Sequence, residues 1–131
     1  MRTESLTSET RGNVFLLEDE ALILLDLTST IEGLGWKVAH VASDLSKALE
    51  IAEHATFDVA MLDMNVRGGE STAVARKLEE RRIPFVITTG YDVDRLRKEF
   101  PEVAFLQKPY VAREIERALS DAMIRSAAGG A

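Results

Sequence analysis

The chain has no cysteine among its 131 residues, so neither disulfides nor thiolate metal sites are available to it. No apolar stretch approaches the length of a membrane span, and the first residues lack the apolar core of a signal peptide. No membrane role is expected, and the cytoplasm is the expected compartment. Positive charge is in deficit: 16 Lys and Arg stand against 22 Asp and Glu, a net charge of −6. Direct binding to nucleic acid draws on clustered Lys and Arg, so it is not expected either. Internal repeats and low-complexity blocks are also missing.

What is present suits a single soluble domain. Hydrophobic residues make up 46% and charged residues 29%, enough for one proper core. Residues 1–12 are polar and rich in Ser, Thr and Glu; they read as a flexible tail, as do residues 126–131. Between them, strand-like and helix-like pieces alternate. Val14 to Leu17 is a continuous apolar run, the pattern of a strand buried on both faces. Ala21 to Leu34 carries Leu24, Leu27, Ile31 and Leu34 at helical spacing, and Gly35 is a natural stop. Trp36 to Val41 reads as a second strand, followed by a helix that Ser43 or Asp44 can cap, with Leu45, Ala48, Leu49 and Ala52 as its stripe. A third strand ends at Asp63 and a turn spans Asn65 to Gly69. A helix over residues 71–82 leads to a fourth strand opened by Pro84. A short helix over residues 92–100 and a strand ending at Lys108 follow. The last helix places Val111, Ile115, Ala118, Leu119 and Ala122 on one side.

Five strands alternating with five helices predict an α/β fold: a five-stranded parallel sheet, doubly wound, with right-handed crossovers. At this length the expected arrangement is flavodoxin-like (βα)5, strand order 2-1-3-4-5, with a switch point between strands one and three. Ligands bind outside the carboxyl ends of strands in such sheets. Here those ends carry Glu18-Asp19-Glu20, Asp63, Thr89-Gly90 and Lys108-Pro109. Three carboxylates within about 4–5 Å would repel by roughly 3–4 kcal/mol per pair at an effective dielectric near 20. Such a cluster raises a pKa or recruits a cation. Oxygen ligands without nearby His or Cys point to Mg²⁺. Beside a cation, Asp63 stays ionised and can attack phosphorus. Lys108 and the Thr89 hydroxyl would then balance the charge on the incoming group's other oxygens.

At these residues the chain resembles the receiver domains of two-component response regulators. The matching pieces are Glu18-Asp19-Glu20, Asp63 with Asn65, Thr89-Gly90 and Lys108-Pro109-Tyr110, in order and each at a strand end. The resemblance covers residues 13–125 and implies a phosphoacceptor role for Asp63. It implies Mg²⁺ held by Glu18, Asp19, Asp63 and the backbone carbonyl of Asn65, and phosphoryl sensing by Thr89 and Lys108. Phe105 falls at the position of the family's aromatic switch, often Tyr; Phe can turn but offers no hydroxyl. Tyr91 and Asn65 flank the path of attacking water in the family, and the Lys108-Pro109 bond is a candidate for the cis form. The implied phosphodonor is a histidine kinase or a histidine phosphotransferase. Output through protein contact is expected, since only short tails flank the core; the downstream protein and any dimer formed on activation are left open.

Departures from the family pattern are informative. Glu18 stands where many receivers have Asp, and its extra methylene favours coordination through water. Arg67 stands where a Pro commonly follows the phosphoacceptor. Gly90 replaces the usual Ala beside Thr89, which should loosen the following loop. The stretch Pro84-Phe85-Val86-Ile87-Thr88-Thr89-Gly90-Tyr91 is similar to the FAT GUY subgroup, mostly stand-alone receivers of alphaproteobacteria that often work with HWE-type kinases; residues 86 and 87 vary from its pattern.

Each motif also has a bland reading. The acidic triplet alone would suit a helix N-terminus, Asp63 alone a turn, and Lys108-Pro109 alone a loop start. His40 and His54 read as ordinary surface or strand histidines, Trp36 as strand packing, and Met61 and Met64 as core fill. Arg76 to Arg82 reads as a solvated helix face with weak ion pairs. Two functional rivals remain. An aspartate-nucleophile phosphatase would need a second Asp where Asn65 stands. A receiver-shaped interaction module that never takes phosphate would not need Asp63, Thr89 and Lys108 together. The chain is therefore not expected to be an enzyme.

Overall fold

The structure, a computed structural model, describes residues 10–90 and 93–129. The elements run β1 (Asn13–Leu17), α1 (Ala21–Gly33), β2 (Lys37–Ala42), α2 (Leu45–His54) and β3 (Val59–Asp63). A small antiparallel hairpin, β4 (Asn65–Val66) with β5 (Gly69–Glu70), precedes α3 (Thr72–Arg81). Then come β6 (Phe85–Thr89), α4 (Val93–Glu99), β7 (Ala104–Gln107) and α5 (Ala112–Gly129). The large sheet is parallel in the order β2-β1-β3-β6-β7, which is 2-1-3-4-5 when the hairpin is set aside.

The continuous apolar runs explain which strands lie at the centre. Every residue of β3 and β6 is buried, and all of β1 but Asn13, because these strands are covered on both faces. Alternate residues feed two cores. Phe15, Leu17, Leu62 and Ile87 pack under α2, α3 and α4 with Ile51, Leu78, Leu96 and Phe100. Val14, Leu16, Met61 and Val86 pack under α1 and α5 with Leu27, Ile31, Ile115 and Leu119. Burying each such side chain fully contributes about 1.5–3 kcal/mol. Truncating Leu78, which has no exposed surface, would cost about 2–5 kcal/mol.

Local sequence sets the turns. Of the two cap candidates Asp44 serves, its Oδ1 accepting the Lys47 N–H at 2.9 Å, a contact whose loss typically costs about 1 kcal/mol. Gly35 has φ +101 just past α1, where a side chain would be strained. Gly68 has φ +102, and a Cβ there would lie 3.2 Å from Leu45 Cβ, so the hairpin packs tightly on α2.

Four expectations are corrected. The stretch from Asn65 to Gly69 forms a hairpin with Glu70 rather than a simple turn. Val111 precedes α5 and is 56% exposed, so it is not part of that helix's buried stripe. Residues 126–129, expected in the C-terminal tail, belong to α5, which runs on to Gly129. Small, helix-compatible Ser126 and Ala127 favour continuing the helix there. Residues 10–12 are also not free. Arg11 donates its N–H to Gly35 at 2.9 Å and lays its guanidinium 4.9 Å from the Trp36 ring centroid. That guanidinium also pairs with Glu116. A polar composition hid these long-range partners.

Candidate functional site

The carboxyl ends of the central strands deliver the site. Glu18 follows β1, and its N–H donates to the Ala42 carbonyl at 3.1 Å, so the chain is still in sheet geometry when the side chain turns inward. That side chain is 1% exposed. Its Oε2 accepts the Glu20 N–H at 3.1 Å, whereas Oε1 has no hydrogen-bond partner among the described residues. Asp63 closes β3 and is buried. Its Oδ1 accepts the Asn65 N–H at 3.3 Å, and its Oδ2 accepts from Lys108 Nζ at 3.1 Å. Lys108 Nζ also lies 3.7 Å from Glu18 Oε1. Carboxylate oxygens of Glu18, Asp19 and Asp63 fall within 4.8 Å of one another.

Three carboxylates thus face one ammonium, and the energetics follow. Burial pushes the Glu18 carboxyl up, and the charges of Asp63 and Asp19 push it further; the Glu20 N–H and Lys108 oppose the rise. Burial acts to lower the Lys108 pKa, but the Asp63 hydrogen bond and the charges of Asp63, Glu18 and Glu20 outweigh it and leave it raised. Tyr110 is pushed up to about 12, first by burial, then by Glu18 and Asp63, against a hydrogen bond with Thr88; its phenol is neutral at ordinary pH. An orphaned buried carboxylate oxygen beside two further carboxylates is a poor resting state without a cation. The donor set is all oxygen, which fits Mg²⁺.

Thr89 ends β6, is 1% exposed, and its carbonyl accepts the Lys108 N–H at 2.9 Å, so both sensing candidates share one ladder step. The Lys108–Pro109 peptide bond is cis. Gly90 is exposed, and a Cβ there would meet nothing within 4 Å. Phe105 is half-buried on β7 opposite Ile87 and packs against the larger core. Tyr91 lies outside the described residues. His40 and His54 stand away from the cluster, His40 at 3.1 Å from the Thr56 carbonyl and edge-on to Phe57. Met61 and Met64 are core fill, and Arg76 and Lys77 form surface ion pairs with Glu79 and Glu80.

Sequence reasoning missed Ser71. Its hydroxyl, fully buried, donates to the Asp63 carbonyl at 2.8 Å and anchors the phosphoacceptor candidate's backbone. Eight residues separate the two, and only the hairpin between them brings them together. The Arg67 guanidinium, also unforeseen, reaches the Asp19 carbonyl at 3.3 Å.

The family model of the response regulator receiver domain matches residues 14–120. The chain belongs to that family. Among curated proteins, this receiver is 32% identical over 122 residues to the phyllosphere-induced regulator PhyR of Methylorubrum extorquens, covering 90% of the chain and 46% of PhyR. It is 28% identical over 116 residues to the transcriptional regulatory protein PdtaR of Mycobacterium tuberculosis, covering 86% of the chain and 57% of PdtaR. The chain therefore spans about half the length of the curated relatives it matches. Among solved structures, SdrG of Sphingomonas melonis is 35% identical with a TM-score of 0.73, covering 86% of this chain and 95% of SdrG. Receivers are signalling domains, and among the described residues no helix is long and apolar enough to cross a membrane.

Proposed function

We propose that this receiver accepts a phosphoryl group on Asp63, with Mg²⁺ as cofactor, from phosphohistidine on a histidine kinase or histidine phosphotransfer protein. The observation that carries this reading is the Asp63 Oδ2 to Lys108 Nζ contact of 3.1 Å, made beside the orphaned Glu18 Oε1. Glu18, Asp19 and Asp63, with the Asn65 carbonyl, are the residues to hold the ion. When bound, Mg²⁺ supplies charge neutralisation for the carboxylates and for phosphoryl oxygens. In the transfer, an Asp63 oxygen forms a bond to phosphorus as the donor's P–N bond breaks, and the ring, protonated on its other nitrogen, leaves with the electron pair as neutral imidazole. Lys108 then exchanges part of its contact with Asp63 for a phosphoryl oxygen, and the buried Thr89 hydroxyl meets another. No residue has to act as a base, because a carboxylate nucleophile has no proton to give up when it bonds to phosphorus.

Output is proposed through protein contact, in the cytoplasm. Leu22 and Leu25 on the first turns of α1 are 82% and 68% exposed, and Val111 beside Lys108-Pro109-Tyr110 is 56% exposed. These apolar side chains follow the motif residues directly and suit a protein partner presenting its phosphohistidine. The fourth-strand stretch, with its FAT GUY likeness, favours an HWE-type kinase as that donor. Phe105 is the proposed aromatic switch, reporting the state of Thr89 along β6 and β7.

The reading is tested by incubating the protein with acetyl phosphate and Mg²⁺ and taking an intact mass. One added phosphoryl group that is lost in Asp63→Ala is the expected result. No added mass, or the same addition in Asp63→Ala, would refute it.

A further inference from the structure

The strongest unassigned feature is Arg67. It sits between β4 and β5, where its main chain is fixed: its carbonyl accepts the Leu45 N–H at 3.1 Å, and it bridges to Asp44. The side chain is exposed and extends to the other rim of the crevice, where Nη2 donates to the Asp19 carbonyl at 3.3 Å. Arg11, Arg76 and Arg95, by contrast, pair with carboxylates, and Arg81 donates to the carbonyls of Ala52 and Ala55. Arg67 has no carboxylate partner among the described residues, yet its anchor is the backbone of an acidic-cluster residue. A guanidinium has five donors, and one contact with a neutral carbonyl leaves its charge unneutralised.

The difficulty this placement addresses is electrostatic. A phosphoryl donor is an anion and must approach a pocket where three carboxylates cluster beside one half-buried ammonium. Fixed positive charge at the mouth raises the local concentration of anions and their rate of entry. We propose that Arg67 is a donor-recruiting residue: its guanidinium, moored on Asp19, attracts the dianionic phosphoryl group toward Asp63. This deepens the proposed function and rests on it. Acetyl phosphate isolates the effect from any partner protein. With it, an Asp63 oxygen forms the O–P bond, the acetyl O–P bond breaks, and acetate leaves with the electron pair; no proton is needed.

The test separates charge from hydrogen bonding. Arg67→Gln keeps an N–H donor for the Asp19 carbonyl and loses the charge, whereas Arg67→Lys keeps the charge. Second-order rate constants for phosphorylation by acetyl phosphate are measured at saturating Mg²⁺ in low and high salt. Arg67→Gln is expected to be about three- to tenfold slower in low salt, with Arg67→Lys near the native rate. The gap should close near about 1 M salt, where screening acts over about 3 Å. Loss of phosphoryl from the loaded protein should be unchanged in both variants, because recruitment precedes transfer. A native rate in Arg67→Gln overturns the proposal. So does a slowing that salt does not relieve, or an equal slowing in Arg67→Lys, either of which marks Arg67 as a latch between loops. If the native protein takes up no phosphoryl group, the reading of Asp63 fails first and this inference falls with it; phosphorylation without an Arg67 effect defeats this inference alone.

Discussion

The two ends of the sheet treat their charges in opposite ways. At the amino end, Arg11 and Arg125 lie on the surface and find partners across the fold. Arg11 covers Trp36, pairs with Glu116, and donates to Ser120 Oγ at 2.7 Å, while Arg125 donates to the Glu102 carbonyl at 2.5 Å. At the carboxyl end, Glu18 and Asp63 are buried and share the ammonium of Lys108, with the Asp19 carboxylate beside them. One end lowers the energy of the fold; the other holds groups at high energy. Imbalance of that kind persists where a ligand relieves it.

Adding Mg²⁺ gives the largest test of this contrast. At a concentration of about 100 times its Kd, a bound ion stabilises the fold by about 2.7 kcal/mol, read as a rise in denaturant midpoint that EDTA reverses. The same titration of Glu18→Gln should give a much smaller rise, and an unchanged rise would move the ion away from Glu18.

Lys108→Ala comes next. It leaves Asp63 and Glu18 without their cation, and with the ammonium's 30% exposed side chain the expected loss is about 1–2 kcal/mol in metal-free protein. A gain in stability would show that Lys108 does not balance the cluster.

Smaller again is Glu18→Gln, expected to stabilise the metal-free protein by about 1 kcal/mol at neutral pH. The sign follows from linkage. The folded Glu18 pKa lies above its unfolded value, so its favourable contribution is complete below the unfolded pKa and is lost as pH rises through the folded one. Metal-free stability of the native protein should therefore decline over that window more steeply than in Glu18→Gln. Parallel pH profiles would contradict the assignment.

Arg11→Ala, at the balanced end, should cost only about 0.5–1 kcal/mol, since its contacts are exposed. It should leave Mg²⁺ binding untouched. A shift in Mg²⁺ affinity would mean that the two ends are coupled.

The readable parts of the fold were those that depend on periodicity. Continuous apolar runs at β1, β3 and β6 announced strands covered on both faces, and the alternation with helices implied the parallel sheet that is observed. Asp44 was one of two legible cap candidates. Boundaries were less readable: α5 outlasts its apolar stripe, and Val111 fits the stripe's spacing but lies before the helix begins. The acidic triplet, Asp63, Thr89 and Lys108 were all visible as strand ends. Ser71 and Arg67 were not recognised as part of the site, because their partners, the carbonyls of Asp63 and Asp19, are backbone atoms with no sequence signature.

The order of residues along the chain was sufficient for the class of fold and for naming candidate reactive side chains, since strand ends and helix faces are local properties of spacing. It could not assign their charge states. Only the assembled sheet buries Glu18 to 1% exposure, sets Lys108 Nζ 3.1 Å from Asp63, and leaves one Glu18 oxygen without a hydrogen-bond partner among the described residues. Those quantities depend on desolvation and on distances between residues as far apart as 18 and 108, which exist only once the strands lie side by side.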